Sequence, residues 1–211
     1  MKKRILITGP SGVGKTTLAQ ELSKVFNIPF VEVNMFKMVC PCYSDKIKTH
    51  QDLIDFMKLN PEAGAKMQFE LLISRQIKFG DHYSTGFVTD RGHIDSWVYT
   101  SLQVVPYLKE GEFKKKFIEK LVKKFKSVHR LFTHIIYLPL QDDWEIEDNN
   151  KRVPDTEFQK KVDFIYRDVL RPYLRTESIY LDDIMDIYPV VFEMGERDLD
   201  KRIEVCKSFF I

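Results

Sequence analysis

The chain has few cysteines, no long apolar run and almost no excess of charge of either sign. Its three cysteines, Cys40, Cys42 and Cys206, are too few and odd in number, which excludes a disulfide framework. Cys40-Pro41-Cys42 has no second ligand pair at a suitable spacing, so a zinc knuckle is excluded too and the thiols are expected to be free. Nothing approaches the ~18 consecutive apolar residues of a membrane span. After Met1-Lys2-Lys3-Arg4, the apolar stretch Ile5-Leu6-Ile7 stops at Thr8-Gly9-Pro10, too short for a secretion signal. A cytoplasmic protein with no membrane partner is expected. Lys and Arg total 33 against 31 Asp and Glu, so the chain as a whole does not announce a polyanionic partner. There is no internal repeat and no low-complexity linker, and a single domain over 1–211 is expected.

What is present is an alternation of short apolar runs with helical periods. Strands are expected at Arg4–Thr8, Phe30–Val33, 86–89, His134–Leu138 and Ser178–Leu181. Helices are expected over Lys15–Phe26, Asp52–Leu59, Glu62–Phe79, Ile94–Leu108 with a break at Pro106, Glu112–Val128, Asp155–Leu170 and Leu199–Phe210. Such alternation implies an α/β fold, a parallel sheet with helices on both faces. Ligands of such sheets sit at the carboxyl ends of the strands.

The first expected strand ends in Gly9-Pro10-Ser11-Gly12-Val13-Gly14-Lys15-Thr16, which satisfies G-x-x-x-x-G-K-[ST] at every fixed position. Glycines let the backbone of Gly9, Ser11, Gly12, Val13 and Gly14 curl until successive N–H groups converge on one anion. The helix that follows, from Lys15 through Thr16 and Thr17, adds the positive end of its dipole. Lys15 supplies a point charge for the β- and γ-phosphates, and the Thr16 hydroxyl a ligand for Mg²⁺. ATP with Mg²⁺ is the expected cofactor. The third expected strand runs into Asp90-Arg91. A carboxylate there can hold Mg²⁺ with Thr16, or take a proton from a substrate hydroxyl. The adjacent guanidinium can grip a phosphate.

These features together resemble the P-loop nucleoside and nucleotide kinases. The shared elements are the loop at 9–16, Asp90-Arg91 followed by Asp95 and Tyr99, and Tyr137-Leu138-Pro139 before an acidic stretch. Thymidylate and deoxynucleoside kinases carry an Asp-Arg or Glu-Arg pair after their third strand. The nicotinamide-riboside-kinase-like AAA ATPase domains are similar in a further respect, matched here by Leu138-Pro139-Leu140, the acidic residues from Asp142 to Asp148, then Arg152, Asp155 and Phe158. The resemblance implies the P-loop NTPase three-layer sandwich. It also implies a five-stranded parallel sheet whose first and third strands are adjacent, and a lid at about 141–155. By the same resemblance Lys15, Asp90, Arg91 and Arg152 are the expected catalytic residues. Glu32, Gln68, Arg91 and His93 are the expected substrate contacts. Gln68 reads alternatively as an exposed helix position, and Asp95 either caps the helix after Arg91 or supports Arg91 itself.

The activity implied is a kinase that moves the γ-phosphate of ATP to a nucleoside or nucleotide-like small molecule. A GTPase switch is disfavoured, because no N-K-x-D element follows the fourth strand. The alternative is action on a nucleic acid. Residues 109–130 hold nine Lys/Arg against three Glu, and Phe113, Phe117, Leu121 and Phe125 recur at helical spacing. The lysines would then lie outside, as a solvated face or a footprint for phosphates. A homodimer is left open.

Overall fold

A computed structural model describes residues 2–33, 47–141, 156–174 and 189–210. Its elements are β1 (Arg4–Thr8), α1 (Lys15–Phe26), α2 (His50–Leu59), α3 (Pro61–Asp81), β2 (Phe87–Thr89), α4 (His93–Gln103), α5 (Glu112–His129), β3 (His134–Tyr137), α6 (Thr156–Leu174), β4 (Val190–Glu193) and α7 (Leu199–Phe209). The four strands are parallel in the order β2-β1-β3-β4, so the strand that leads into the phosphate loop is central.

The sheet divides the apolar residues into two cores by the period of two along each strand. Leu6, Phe87, Ile135 and Tyr137 face one core, with Met67, Leu71 and Leu72 of α3, Val98 of α4, Leu121 of α5 and Tyr166 of α6. Ile5, Ile7, Val88 and Ile136 face the other, with Leu18 and Leu22 of α1 and Cys206 of α7. Three layers result. Burial raises the pKa of the Cys206 thiol to about 12, so it stays protonated. Cys40 and Cys42 lie outside the described residues.

The expectation of five strands is corrected to four among the described residues. Phe30–Val33 does not form a strand. Phe30 makes a single bridge to Val88, and the Glu32 carbonyl accepts from the Lys78 side chain rather than from a neighbouring strand. Ser178–Leu181 and the lid at 142–155, with Arg152, lie outside the described residues. A strand that was not expected, β4, closes the edge on β3.

Helix boundaries fall close to the sequence reading. The 94–108 segment ends as a helix at Gln103, and Pro106 sits in a short 3₁₀ turn at Val105–Tyr107. Along α5, Phe117, Leu121 and Val128 are buried while Lys115, Lys116, Lys120, Lys123 and Lys126 are exposed, so the lysines form an outer face. No described helix is long and apolar enough to cross a membrane.

Between α4 and α5 lies a buried histidine pair. His93 Nε2 and His129 Nδ1 are 2.8 Å apart, and the His93 ring is T-shaped against Phe125 and stacked on Phe132. Burial, the neighbouring His129 and the Arg75 charge hold the His93 pKa well below the ordinary value. Burial alone lowers that of His129 to about 4. From about pH 6.5 down to about 4 the unfolded chain therefore binds protons that the folded chain refuses. Stability is accordingly present above pH 6.5 and lost as pH falls. We expect the urea midpoint to decline between pH 7.5 and pH 5, by up to ~1.4 kcal/mol per pH unit for each histidine. A flat midpoint over that range would show that the pair carries its charge at no cost.

Candidate active site

The phosphate loop is built by backbone curvature. Gly9 has φ 142°, and a β-carbon there would collide with the Leu138 carbonyl oxygen. Gly12 and Gly14 follow at φ 87° and 86°, conformations that L side chains rarely adopt. Gly14 is also the N-cap of α1 and brings no capping side chain. Every other described α-helix carries an acidic residue in its first turn, and α1 carries none. The positive end of its dipole is therefore left for an external anion. From behind, Arg202 of α7 clamps the loop, with Nη1 donating to the Val13 carbonyl at 2.9 Å and Nε to that of Glu196.

The loop's side chains are already engaged. Lys15 is buried, and its ammonium donates to the Pro10 carbonyl. Thr16 and Thr17 are exposed at the mouth of the loop. The Thr16 hydroxyl donates to Asp90 Oδ2. The pairing of Leu6 with Thr89 explains how residues 74 apart in sequence meet, because it brings the carboxyl ends of β1 and β2 side by side.

Next to Asp90 the chain turns through Arg91 and Gly92 into α4. Gly92 packs so closely on β1 that a β-carbon would stand 2.8 Å from both Leu6 methyls. Its N–H donates to Asp95 Oδ2 at 2.8 Å, and its carbonyl accepts from Arg75 Nη1 at 2.5 Å, which grips the turn from both sides. Asp95 is 1% exposed and takes three more donors: Thr8 Oγ1 at 3.2 Å, Arg91 Nη1 at 3.1 Å and Tyr166 Oη of α6 at 2.8 Å. Both readings of Asp95, as cap and as support for Arg91, describe it. Burial lowers the Arg91 pKa, but the charges of Tyr99 and Asp95 outweigh that and hold it above the ordinary value. The Tyr166 phenol is pushed well up by burial and by Asp95. Burial lowers the pKa of Arg75 to about 10, leaving it charged at neutral pH.

The structure thus brings Lys15, Thr16, Asp90 and Arg91 to one edge of the sheet. It does not bring His93 there. Entry into α4 turns that ring away from the loop into the aromatic pocket against Phe125 and Phe132, which corrects the expectation of a substrate contact. Gln68 is not an exposed helix position but a buried one at 2% exposure, its amide 3.7 Å from the Met57 sulfur. Glu32 is exposed at the end of the Phe30–Val33 segment. Sequence reasoning missed Arg75, Gln159, Tyr166 and Arg202. The available signal was phase, since each is a polar group on the apolar side of its helix, as Gln159 is with Val162 and Tyr166.

The class defined by these features is a P-loop α/β fold of the nucleoside and nucleotide kinase type. A family model described as an AAA domain matches residues 4–175, and the chain belongs to that family. Over 50 residues the chain is 42% identical to a cytidylate kinase of Mycoplasmopsis pulmonis (strain UAB CTIP), a match that spans 24% of this chain and 23% of that kinase. Among solved structures, a deoxyadenosine kinase from M. mycoides with dCMP and a flexible dCDP superposes with a TM-score of 0.64 at 14% identity, covering 98% of this chain and 97% of that one. NadR protein in complex with NR superposes with a TM-score of 0.57 at 17% identity, covering 99% of this chain and 51% of that one, so this chain spans about half its length.

Proposed function

We propose that this protein is an ATP- and Mg²⁺-dependent phosphotransferase that moves the γ-phosphate to a nucleoside or nucleotide-like small molecule, using one domain over 1–211. The observation that carries the reading is the contact between the Thr16 hydroxyl and the Asp90 carboxylate. It joins the phosphate loop to the strand end that would face the acceptor. Hydroxyl and carboxylate oxygens are the hard donors that Mg²⁺ takes. Among the described residues no three His, Cys, Asp or Glu cluster as a metal cage, which fits a cation shared with substrate phosphates and waters. When bound, Mg²⁺ would neutralise charge on the phosphate chain. Lys15 would turn from the Pro10 carbonyl to the β- and γ-phosphates, and the backbone amides of Gly12 to Thr16 would hold the chain in line. Asp90 would orient or deprotonate the attacking hydroxyl if it is not held by the metal. Arg91, anchored by Asp95, would bind the acceptor end, with Glu32 and Gln68 further out. Arg152 is proposed as the cation of the lid.

Similar proteins named cytidylate kinase and deoxyadenosine kinase support this class of acceptor. The test is a transfer screen with labelled ATP across nucleosides, nucleoside monophosphates, nicotinamide riboside and modified DNA. Label is expected on a small molecule. Lys15→Ala should lower transfer by at least about 100-fold, the scale of losing one preorganised charge donor. Hydrolysis of ATP with no acceptor labelled, or label on DNA alone, would sink the proposal.

A further inference from the structure

One donor of the phosphate loop is held from outside the motif. The Ser11 backbone N–H donates to Oε1 of Gln159 at 2.9 Å. Gln159 lies 148 residues away in sequence, in the first turns of α6, and is 8% exposed. A backbone N–H can only donate, so the amide must present its oxygen to the loop. The helix that delivers this oxygen is firmly placed. Four residues on, Asp163 accepts from Tyr137 Oη at 2.5 Å and from Leu140 N at 2.8 Å. Seven residues on, Tyr166 donates to Asp95 at 2.8 Å. Spacings of four and seven lie on one helix face. A single stripe of α6 therefore touches the phosphate loop, the end of β3 and the Arg91 turn.

We infer that Gln159 is a positioning residue whose amide oxygen occupies a phosphate's place on the Ser11 N–H and competes with the triphosphate for it. The inference rests on the reading of the loop as a nucleotide site. The physics is an exchange of acceptors. One N–H serves one acceptor well, and a phosphate oxygen carries charge that an amide oxygen lacks, so it forms the stronger bond. Binding then exchanges a neutral internal acceptor for a charged external one, at the cost of the internal bond. The released side chain frees the first turns of α6 from the loop, so α6 would register occupancy of the loop while Asp163 and Tyr166 keep the rest of the helix in place.

The competition has a sign that a merely supportive contact does not share. Gln159→Ala removes the competitor and should tighten binding of β,γ-imido-ATP with Mg²⁺ about three- to tenfold, the range of one net hydrogen bond. Gln159→Asn, one methylene short of Ser11, should tighten it similarly. Gln159→Glu places a fixed negative charge against the phosphates and should weaken it at least as much. Calorimetric titration of the full chain reads all three, with circular dichroism confirming that each is folded. Binding by the alanine and asparagine variants that is equal to or weaker than that of the unaltered chain overturns the inference and leaves the proposed function standing. If the alanine variant does not fold, the asparagine and glutamate pair decides, and equal affinities overturn the inference. Absence of binding by the unaltered chain would instead remove the nucleotide reading, and the inference with it.

Discussion

Asp90→Ala is expected to lower phosphoryl transfer by about 10²- to 10⁴-fold while leaving the protein folded. Asp90 stands just past the end of β2, at 9% exposure, and the partner printed by the geometry is the exposed Thr16 hydroxyl. Losing that hydrogen bond costs the fold about 1 kcal/mol, because Thr16 at the surface can turn to water instead. The chemistry loses far more. Whether the carboxylate accepts the acceptor's proton or holds a cation, its charge acts where phosphoryl charge develops, in a site that Gly92 and Leu6 close off from below. Asp90→Asn keeps the shape and an acceptor but not the charge, and should lose nearly as much turnover. The measurements are kcat on the acceptor that the transfer screen identifies and the urea midpoint of each variant. Full turnover in Asp90→Ala would remove this residue from the reaction.

Asp95→Ala should do the opposite, with stability collapsing first. Four donors converge on its buried carboxylate, from Thr8, Arg91, Gly92 and Tyr166. The phenol pKa of Tyr166 is raised by burial and by Asp95, and the guanidinium of Arg91 stays charged. Both therefore remain donors across the neutral range and cannot escape the loss by titrating. Removing one member of a buried charged network costs about 3–5 kcal/mol, because the partners stay behind unpaired. In a chain of this size that is a fall of roughly 10 °C in Tm. Asp95→Asn retains one acceptor oxygen and should fall between the two. If the alanine variant melts within a degree or two of the unaltered protein, water replaces the carboxylate and the network holds nothing in place.

The contrast between these two aspartates marks what could be read from the sequence. Asp90 was legible because it follows an apolar run beside an arginine, and the phosphate loop because its glycines are required by local backbone shape. The helices were legible from their apolar period. Asp95 was legible only as two alternatives, since a residue three positions into a helix can cap it and also face inward. His93 misled because its neighbours in sequence point to the site while its ring points to α5. β4 was missed, since Val190 and Glu193 are exposed and only the middle of the strand is partly covered, which leaves no clean alternation. The Phe30–Val33 segment alternates well, yet it makes one bridge, because alternation reports a face and not a partner. Gln159, Tyr166 and Arg202 act on residues 148, 71 and 189 positions away, and no local rule reaches that far.

The central place of β1 has a consequence for how the protein is made. The whole phosphate motif leaves the ribosome among the first twenty residues, but the surfaces that shape it come much later. β2 follows about 80 residues on, the Leu138 carbonyl against Gly9 later still, and the Arg202 clamp on Val13 is 189 residues distant. Closing such long stretches of chain is slow, and the contacts reward it only at the end. A nascent chain can therefore carry the complete motif through most of its translation without a working phosphate site. The first segment to be synthesised is among the last to become competent, and no N-terminal fragment that stops short of α7 should bind nucleotide as the finished protein does.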